Sequence, residues 1–242
     1  MRFMRNTVAI MQRELLALFC SPIGYIVIAG FLLLTGVIVL VTDTFGPGKP
    51  ATLRTIFEFT PFVLTIIIPA ISMRMLSEEY RSGTIETLMT APLSDAQMVV
   101  GKYLAALLFY TLMLGATLVY LLLMMWFGNP DVGVSLSSYL GLLLAGAAFA
   151  AFGVFTSSLT SNQIVAWILG TVPLMLFVWF GAFMVRYSQG AVRDVLQKIN
   201  VSRHLDLFNR GLISAESVVF FVGLAVLFLF VTIKVVESRR WR

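Results

Sequence analysis

Charge is scarce in this chain. Asp, Glu, Lys and Arg make up 12% of its 242 residues, about half the share typical of a soluble domain. A hydrophobic share of 59% and a mean hydropathy of +0.94 would demand a soluble core far larger than this length can enclose. Cys20 is the single cysteine, which excludes an intramolecular disulfide; beside Ser21-Pro22 it reads as a small buried apolar side chain. His204 is the single histidine and has no Cys/His cluster around it, so no metal site is expected. The phosphate-cradling GxxxxGK(S/T) loop is missing. Gly101-Lys102 is followed by Tyr103, so the chain is not expected to bind nucleotide in that manner. There is no HExxH and no His/Asp pair to serve a serine nucleophile, so no catalytic residue is expected. Ionisable groups are also missing from the interiors of the apolar runs. Glu58, Arg74, Lys102 and Lys234 lie toward run ends, where they are expected to snorkel or meet water. A charge at the membrane centre costs at least about 2.5–3.5 kcal/mol and usually marks an ion or proton relay. A proton-coupled carrier is therefore disfavoured.

Long apolar runs are what the chain has instead. Six are legible, over about 23–41, 56–75, 98–125, 136–158, 164–185 and 217–236, each with the roughly 20 residues that cross a hydrocarbon core. They are continuous rather than alternating, which excludes a membrane barrel. The first lacks a small-residue cleavage site after it and reads as a retained span, not a signal peptide. The expected fold class is an all-α polytopic membrane protein, one domain over 1–242. Six spans put both termini on one side. The segments on that side carry ten Lys and Arg residues against seven on the other, five of those seven lying in 186–216. The excess of positive charge predicts termini inside.

The segments between the spans carry pattern too. Met4, Val8, Met11, Leu15 and Leu18 recur at steps of three and four, with Asn6, Arg13 and Glu14 falling elsewhere. That spacing predicts an amphipathic helix over 1–21, ended by Ser21-Pro22 and lying on the membrane surface as an anchor or a lever. Gly46-Pro47-Gly48-Lys49-Pro50 and Gly128-Asn129-Pro130-Asp131 read as turns on the far side, and 157–162 as a short polar turn on the near side. Val192, Val195, Leu196 and Ile199 share a helical face, followed by Leu205, Leu207, Phe208 and a stop at Gly211. Two short outer-face helices are therefore expected over 188–213. Small residues from Gly141 to Gly153 suit close helix contact. Pro61, Pro69 and Pro173 can kink their helices. Thr60, Thr65, Ser72, Asn162, Gln163 and Thr171 are the polar residues that would line a path if one exists.

The densest signal is the island Glu78–Ser94, EEYRSGTIETLMTAPLS. Ile85, Leu88 and Met89 share a face, Gly83 permits a sharp entry, and Ala91-Pro92 forces the exit. Ser94-Asp95-Ala96-Gln97 has the form of a capping box that starts the third span. The segment 78–92 thus reads as a short rigid helix held between two spans.

Met73–Glu79, Arg81–Glu86 and Thr90–Ser94 together resemble the signature of ABC-2 type permeases, the membrane subunits of one class of ATP-driven exporter. RELLALFCSPIGYI from Arg13, Ser161-Asn162-Gln163 and His204–Gly211 resemble the gliding-motility-associated subgroup. The resemblance implies that 78–92 is a coupling helix, with Glu78, Glu79, Arg81, Gly83, Thr84, Glu86 and Pro92 at the interface with a separate ABC ATPase. It implies that 1–21 is a connector helix and 188–213 external re-entrant helices. It implies a bacterial inner-membrane protein with cytoplasmic termini, two permease halves (a homodimer) and two ATPase copies. ATP and Mg would then sit on the ATPase, and this chain would bind no cofactor and no nucleic acid. An auxiliary envelope protein is a further implied partner. Two functions share these residues: the permease half of an exporter, or a scaffold passing ATPase force to an envelope or motility partner without moving a substrate.

Overall fold

In a computed structural model the chain is described over residues 2–44, 46, 52–84 and 94–239. Among these residues every regular element is a helix. α1 (Arg2–Cys20) turns at Ser21 into α2 (Pro22–Val41), with Pro22 at the first helical position, where its missing N–H costs nothing. α3 (Arg54–Ser72) and α4 (Arg74–Ser82) follow. α5 (Asp95–Ala116) and α6 (Leu118–Phe127) form the third span, and α7 (Val132–Leu159) the fourth. The fifth is α8 (Gln163–Met175), a π turn (Leu176–Phe180) beginning three residues after Pro173, and α9 (Gly181–Tyr187). α10 (Gly190–Ile199), α11 (Val201–Asn209) and α12 (Ala215–Arg239) complete the chain. Six of these stretches are long and apolar enough to cross a membrane.

The second and fourth spans are the centre of the bundle. Both are 67% buried over their apolar windows, against 22%, 24% and 17% for the first, fifth and sixth. Small residues make this packing possible. A Cβ at Gly146 would stand 2.2 Å from the Tyr110 ring, one at Gly153 would stand 1.9 Å from Ser72 Oγ, and one at Gly141 would stand 2.8 Å from Phe208. The small-residue run therefore lets α7 approach α5, α3 and α11 at three levels.

Apart from the π turn in the fifth, two of the spans are broken, and a hydroxyl from α7 enters each break. Tyr139 donates to the Thr117 carbonyl at 2.9 Å, where α5 gives way to α6. Ser157 donates to the Met73 carbonyl at 2.8 Å, where α3 gives way to α4. Side chains inserted into the helical ladder are a known cause of kinks. Pro61 and Pro69 both lie inside α3, before the break at Met73. Ser157 and Ser158, expected in a polar turn, are instead buried in α7, which runs on to Leu159.

On the far side, α11 turns Val201, His204, Leu205 and Phe208 inward; of the apolar residues expected there, Leu205 and Phe208 are buried and Leu207 is half-buried. Asn200 caps it by accepting from the Ser202 N–H. His204 bridges Ser217 Oγ and the Lys198 carbonyl, so it ties α11 to the end of α10 and the start of α12. Gly211, at φ 80, ends the element as expected.

α1 departs from the sequence reading in one respect. Its buried face runs through Thr7, Ile10, Glu14 and Leu18, while Met4 and Val8 are exposed. The face that packs is set by α5, which α1 crosses at Gly101. A Cβ there would lie 2.9 Å from Ile10 Cβ and 3.0 Å from the Thr7 carbonyl oxygen. Gly101→Val is accordingly expected to cost about 1–3 kcal/mol by overpacking. Gly115→Ala, which meets nothing within 4 Å, should lack any such clash cost. Unfolding in mixed detergent micelles would compare the two. Cys20, expected to be buried, is exposed, although its neighbour Phe19 packs on Phe109 of α5 with ring centroids 5.0 Å apart.

Candidate functional site

The side that carries both termini holds the densest chemistry. Its construction starts at the break in the second span. There the Leu76 and Ser77 N–H groups donate to Ser157 Oγ at 3.0 and 3.1 Å. The same hydroxyl donates to the Met73 carbonyl, which also accepts from the Ser77 hydroxyl. α4 leaves this joint as a direct prolongation of the span, rather than starting at Glu78 as the island pattern suggested. It ends at Gly83, which adopts the left-handed conformation with φ 72, the usual glycine stop. Residues 85–93, including Ile85, Glu86, Leu88, Met89 and Pro92, lie outside the described residues. The chain re-enters at Ser94, whose hydroxyl accepts from the Gln97 N–H while Gln97 Oε1 accepts from the Ser94 N–H. The predicted capping box is complete.

α1, α4 and α5 meet at one cluster of charge. Lys102, on α5, is 1% exposed. Its ammonium donates to Glu79 Oε1 of α4 at 2.7 Å and to Glu14 Oε1 of α1 at 3.0 Å. Arg13 reaches the same two oxygens, at 2.6 Å for Glu14 and 3.1 Å for Glu79. Two cations and two carboxylates balance. Lys102 does not snorkel to water, as its place near a span end suggested; its charge is met inside the protein. Glu79 Oε2 is buried with no hydrogen-bond partner. Burial by itself would raise the Glu14 carboxyl, but the Lys102 ammonium and the Arg13 guanidinium outweigh it and hold the group below its ordinary range. The stability Glu14 contributes is thus present above the ordinary carboxylate pKa of about 4.3 and is lost as pH falls through the lowered folded value.

Around the cluster the walls are polar. Arg74 donates to Glu78 Oε2 at 2.9 Å and to Ser21 Oγ at 2.8 Å, linking α4 to the α1–α2 corner. Arg13, Arg74, Glu78, Glu79, Ser82 and Thr84 border an open cleft of about 540 Å³. On the other flank Arg239, near the end of α12, lies over the Tyr80 ring at 4.5 Å and donates to the Leu159 carbonyl at 2.7 Å.

The residues singled out from sequence divide accordingly. Arg81, Gly83 and Thr84 are exposed on the near side, and Glu78 is half-buried beside them. Glu79 is turned inward onto Lys102. Among the candidate path residues, Thr60, Thr65 and Ser72 are buried and donate to carbonyls of their own helix. Asn162 is exposed and caps α8 by accepting from the Ile164 N–H. Gln163 begins that helix, partly buried, and Thr171 Oγ1 is buried without a partner. An opening of about 260 Å³ between α7, α8 and α12 is lined only by apolar residues, among them Phe149, Phe177 and Phe228. Sequence reasoning missed Glu14 and Lys102. Glu14 was readable in one respect, since it falls on the same face as Thr7, Ile10 and Leu18.

A family model described as ABC-2 family transporter protein matches residues 45–233, more than half of the chain. The chain belongs to the ABC-2 transporter family. No curated protein matches its sequence. As an ABC-2 membrane component it is a multi-pass membrane protein of a class that partners with an ABC ATPase and is not itself an ATPase. The family match begins after α1 and α2, so the Arg13 and Glu14 half of the charged cluster lies outside it. Among the described residues no group of His, Cys, Asp and Glu could hold a metal ion.

Proposed function

We propose that this ABC-2 protein is the permease half of an ATP-driven exporter, receiving work from a separate ATPase through its termini side. The observation that carries this reading is the near-side ledge. α4 and α5, the two roots of the segment 85–93, are braced against each other and against α1. A segment rooted in that way transmits a push to the bundle instead of absorbing it. Arg81 and Thr84 stand exposed at its entrance, and they, with Glu78, Gly83, Glu86 and Pro92, form the proposed ATPase contact. Glu79 supports that surface from beneath.

The assembly would contain two such chains as a homodimer and two ATPase subunits, which hold the ATP and Mg. Its place would be a bacterial inner membrane with cytoplasmic termini, the orientation that the excess of Lys and Arg on the termini side supports. The apolar opening and the shortage of free polar groups in the spans suit a hydrophobic or lipid-linked cargo.

The test is co-purification of the tagged chain with its ATPase, wild type against Arg81→Glu combined with Thr84→Arg. Both changes strike exposed positions and spare the buried cluster. Capture of the ATPase by wild type and its loss from the folded variant is the expected result. Equal capture by both would sink the docking assignment. Transport by the reconstituted complex in vesicles would then separate export from force transmission without a cargo.

A further inference from the structure

The first two turns of α7 hold three serines, and one hydroxyl is left over. Ser135 donates to the Asp131 carbonyl and Ser138 to the Val134 carbonyl, both at 2.9 Å. Such a bond to the preceding turn is how a serine inside a helix satisfies its hydroxyl. Ser137 makes no such bond. It is 5% exposed, and its hydroxyl has no partner among the described residues. A buried hydroxyl left unpaired is costly, and a ligand oxygen would relieve it. Ser137 lines a far-side cleft of about 570 Å³ between the start of α7 and the turn after α11. The ionisable side chains lining it, among the described residues, are Asp131 and Arg210, and Leu136, Leu140 and Ile213 are exposed along it. Asp131 Oδ1 caps α7 by accepting from the Val134 N–H at 3.1 Å, which leaves the carboxylate further lone pairs. Arg210 gives one nitrogen to Asp206, out of five N–H donors on a guanidinium. Gly211, where a Cβ would lie 3.2 Å from Val134 Cγ2, brings this arginine beside α7.

The cleft sits at a defined depth. α7 has 28 residues and is therefore about 42 Å long, which matches a bilayer with its headgroup layers rather than the hydrocarbon core of about 30 Å. Its first turn accordingly lies among headgroups. Trp126, exposed at the end of α6, has the interfacial place that tryptophan favours. Ser137 falls near the ester level, and Leu140, about 12 Å below Val132 along the helix, falls among acyl chains.

We propose that this cleft binds a phosphatidylethanolamine molecule of the far-side leaflet. Its ammonium pairs with Asp131 and its phosphate with Arg210. The Ser137 hydroxyl donates to an ester carbonyl, and an acyl chain lies along Leu136 and Leu140. One carboxylate and one guanidinium suit a zwitterion. An anionic headgroup would leave Asp131 facing like charge, and a quaternary ammonium has no N–H to give it. A free amino acid also carries both charges but would leave the leucine wall uncovered. The bound lipid ties α7 to the end of α11, and nothing in this assignment depends on the ATPase docking.

The experiment is native mass spectrometry of the delipidated full chain, titrated with phosphatidylethanolamine, phosphatidylcholine and phosphatidylglycerol of identical acyl chains. Wild type should bind the ethanolamine lipid about 3- to 10-fold more tightly than the other two, the difference one charge-assisted hydrogen bond makes. Asp131→Asn keeps the helix cap, since the two residues cap about equally well, and should bring the ethanolamine lipid down to the level of the choline lipid. Arg210→Gln should weaken all three. Ser137→Ala should weaken ethanolamine-lipid binding yet leave the unfolding temperature of the lipid-free protein unchanged, because the hydroxyl it removes bonds no protein group; a purely structural serine would lower it. Soluble phosphoethanolamine, which has no chains, should not displace the lipid at equal concentration. Equal binding of the three lipids by wild type overturns the proposal. So does an ethanolamine preference that survives Asp131→Asn, or full displacement by phosphoethanolamine.

Discussion

Replacing Lys102 with alanine is expected to destabilise the protein by about 3–5 kcal/mol, the usual cost of removing one partner from a buried ionic cluster. The ammonium is 1% exposed and lies within 3.0 Å of two carboxylates. Without it, Glu14 and Glu79 face each other across the α1–α4 contact with only Arg13 between them. Glu79 Oε2 already lacks a partner, so that carboxylate would have lost its shortest contact as well. The paired change Lys102→Met with Glu79→Met should cost far less, because an apolar replacement of a matched pair is often close to neutral. Unfolding in SDS-containing mixed micelles measures both variants on one scale. A loss below about 1 kcal/mol for the alanine variant would mean that the pairing is worth no more than a surface ion pair.

The number of spans was legible because each hydrophobic run is long enough to cross a bilayer and is closed by turn residues. Boundaries were legible where local chemistry sets them. Ser94 and Gln97 cap α5 as their spacing predicted, and Gly211 stops the chain at positive φ. The end of the second span was not legible by hydropathy. Polarity rises at Arg74, but backbone hydrogen bonding is indifferent to side-chain polarity, and the helical path continues to Ser82, before Gly83. The charged cluster was hidden for a different reason. Glu14, Glu79 and Lys102 lie on three elements separated by 65 and 23 positions, and no short-range pattern records that they meet. Lys102 near a span end reads equally as a snorkelling residue, and only the position of α1 decides between the two. In the same way Ser157 reads as a turn residue, until its hydroxyl is found inside the break of another span.

Ser157→Ala is therefore the second substitution with a large expected effect, about 2–4 kcal/mol from leaving buried backbone groups without partners. The lost hydroxyl accepts from two N–H groups, of Leu76 and Ser77, and donates to the Met73 carbonyl. Ser158→Ala is the control. Its hydroxyl is equally buried but bonds only the Phe155 carbonyl of its own helix, so its loss should cost about 1 kcal/mol or less. The two N–H groups freed by Ser157→Ala have one way to recover acceptors, which is to rejoin the regular ladder through the Ser72 and Met73 carbonyls. That repair would straighten the break and swing α4, and Glu79 would leave Lys102. The joint and the charged cluster of Arg13, Glu14, Glu79 and Lys102 should consequently be energetically coupled, although Ser157 touches none of the four charged residues. A double-mutant cycle between Ser157→Ala and Glu79→Gln is expected to show an interaction of about 0.5–3 kcal/mol. Strict additivity would mean that α4 keeps its direction without Ser157, and that its angle to α3 is set by packing alone.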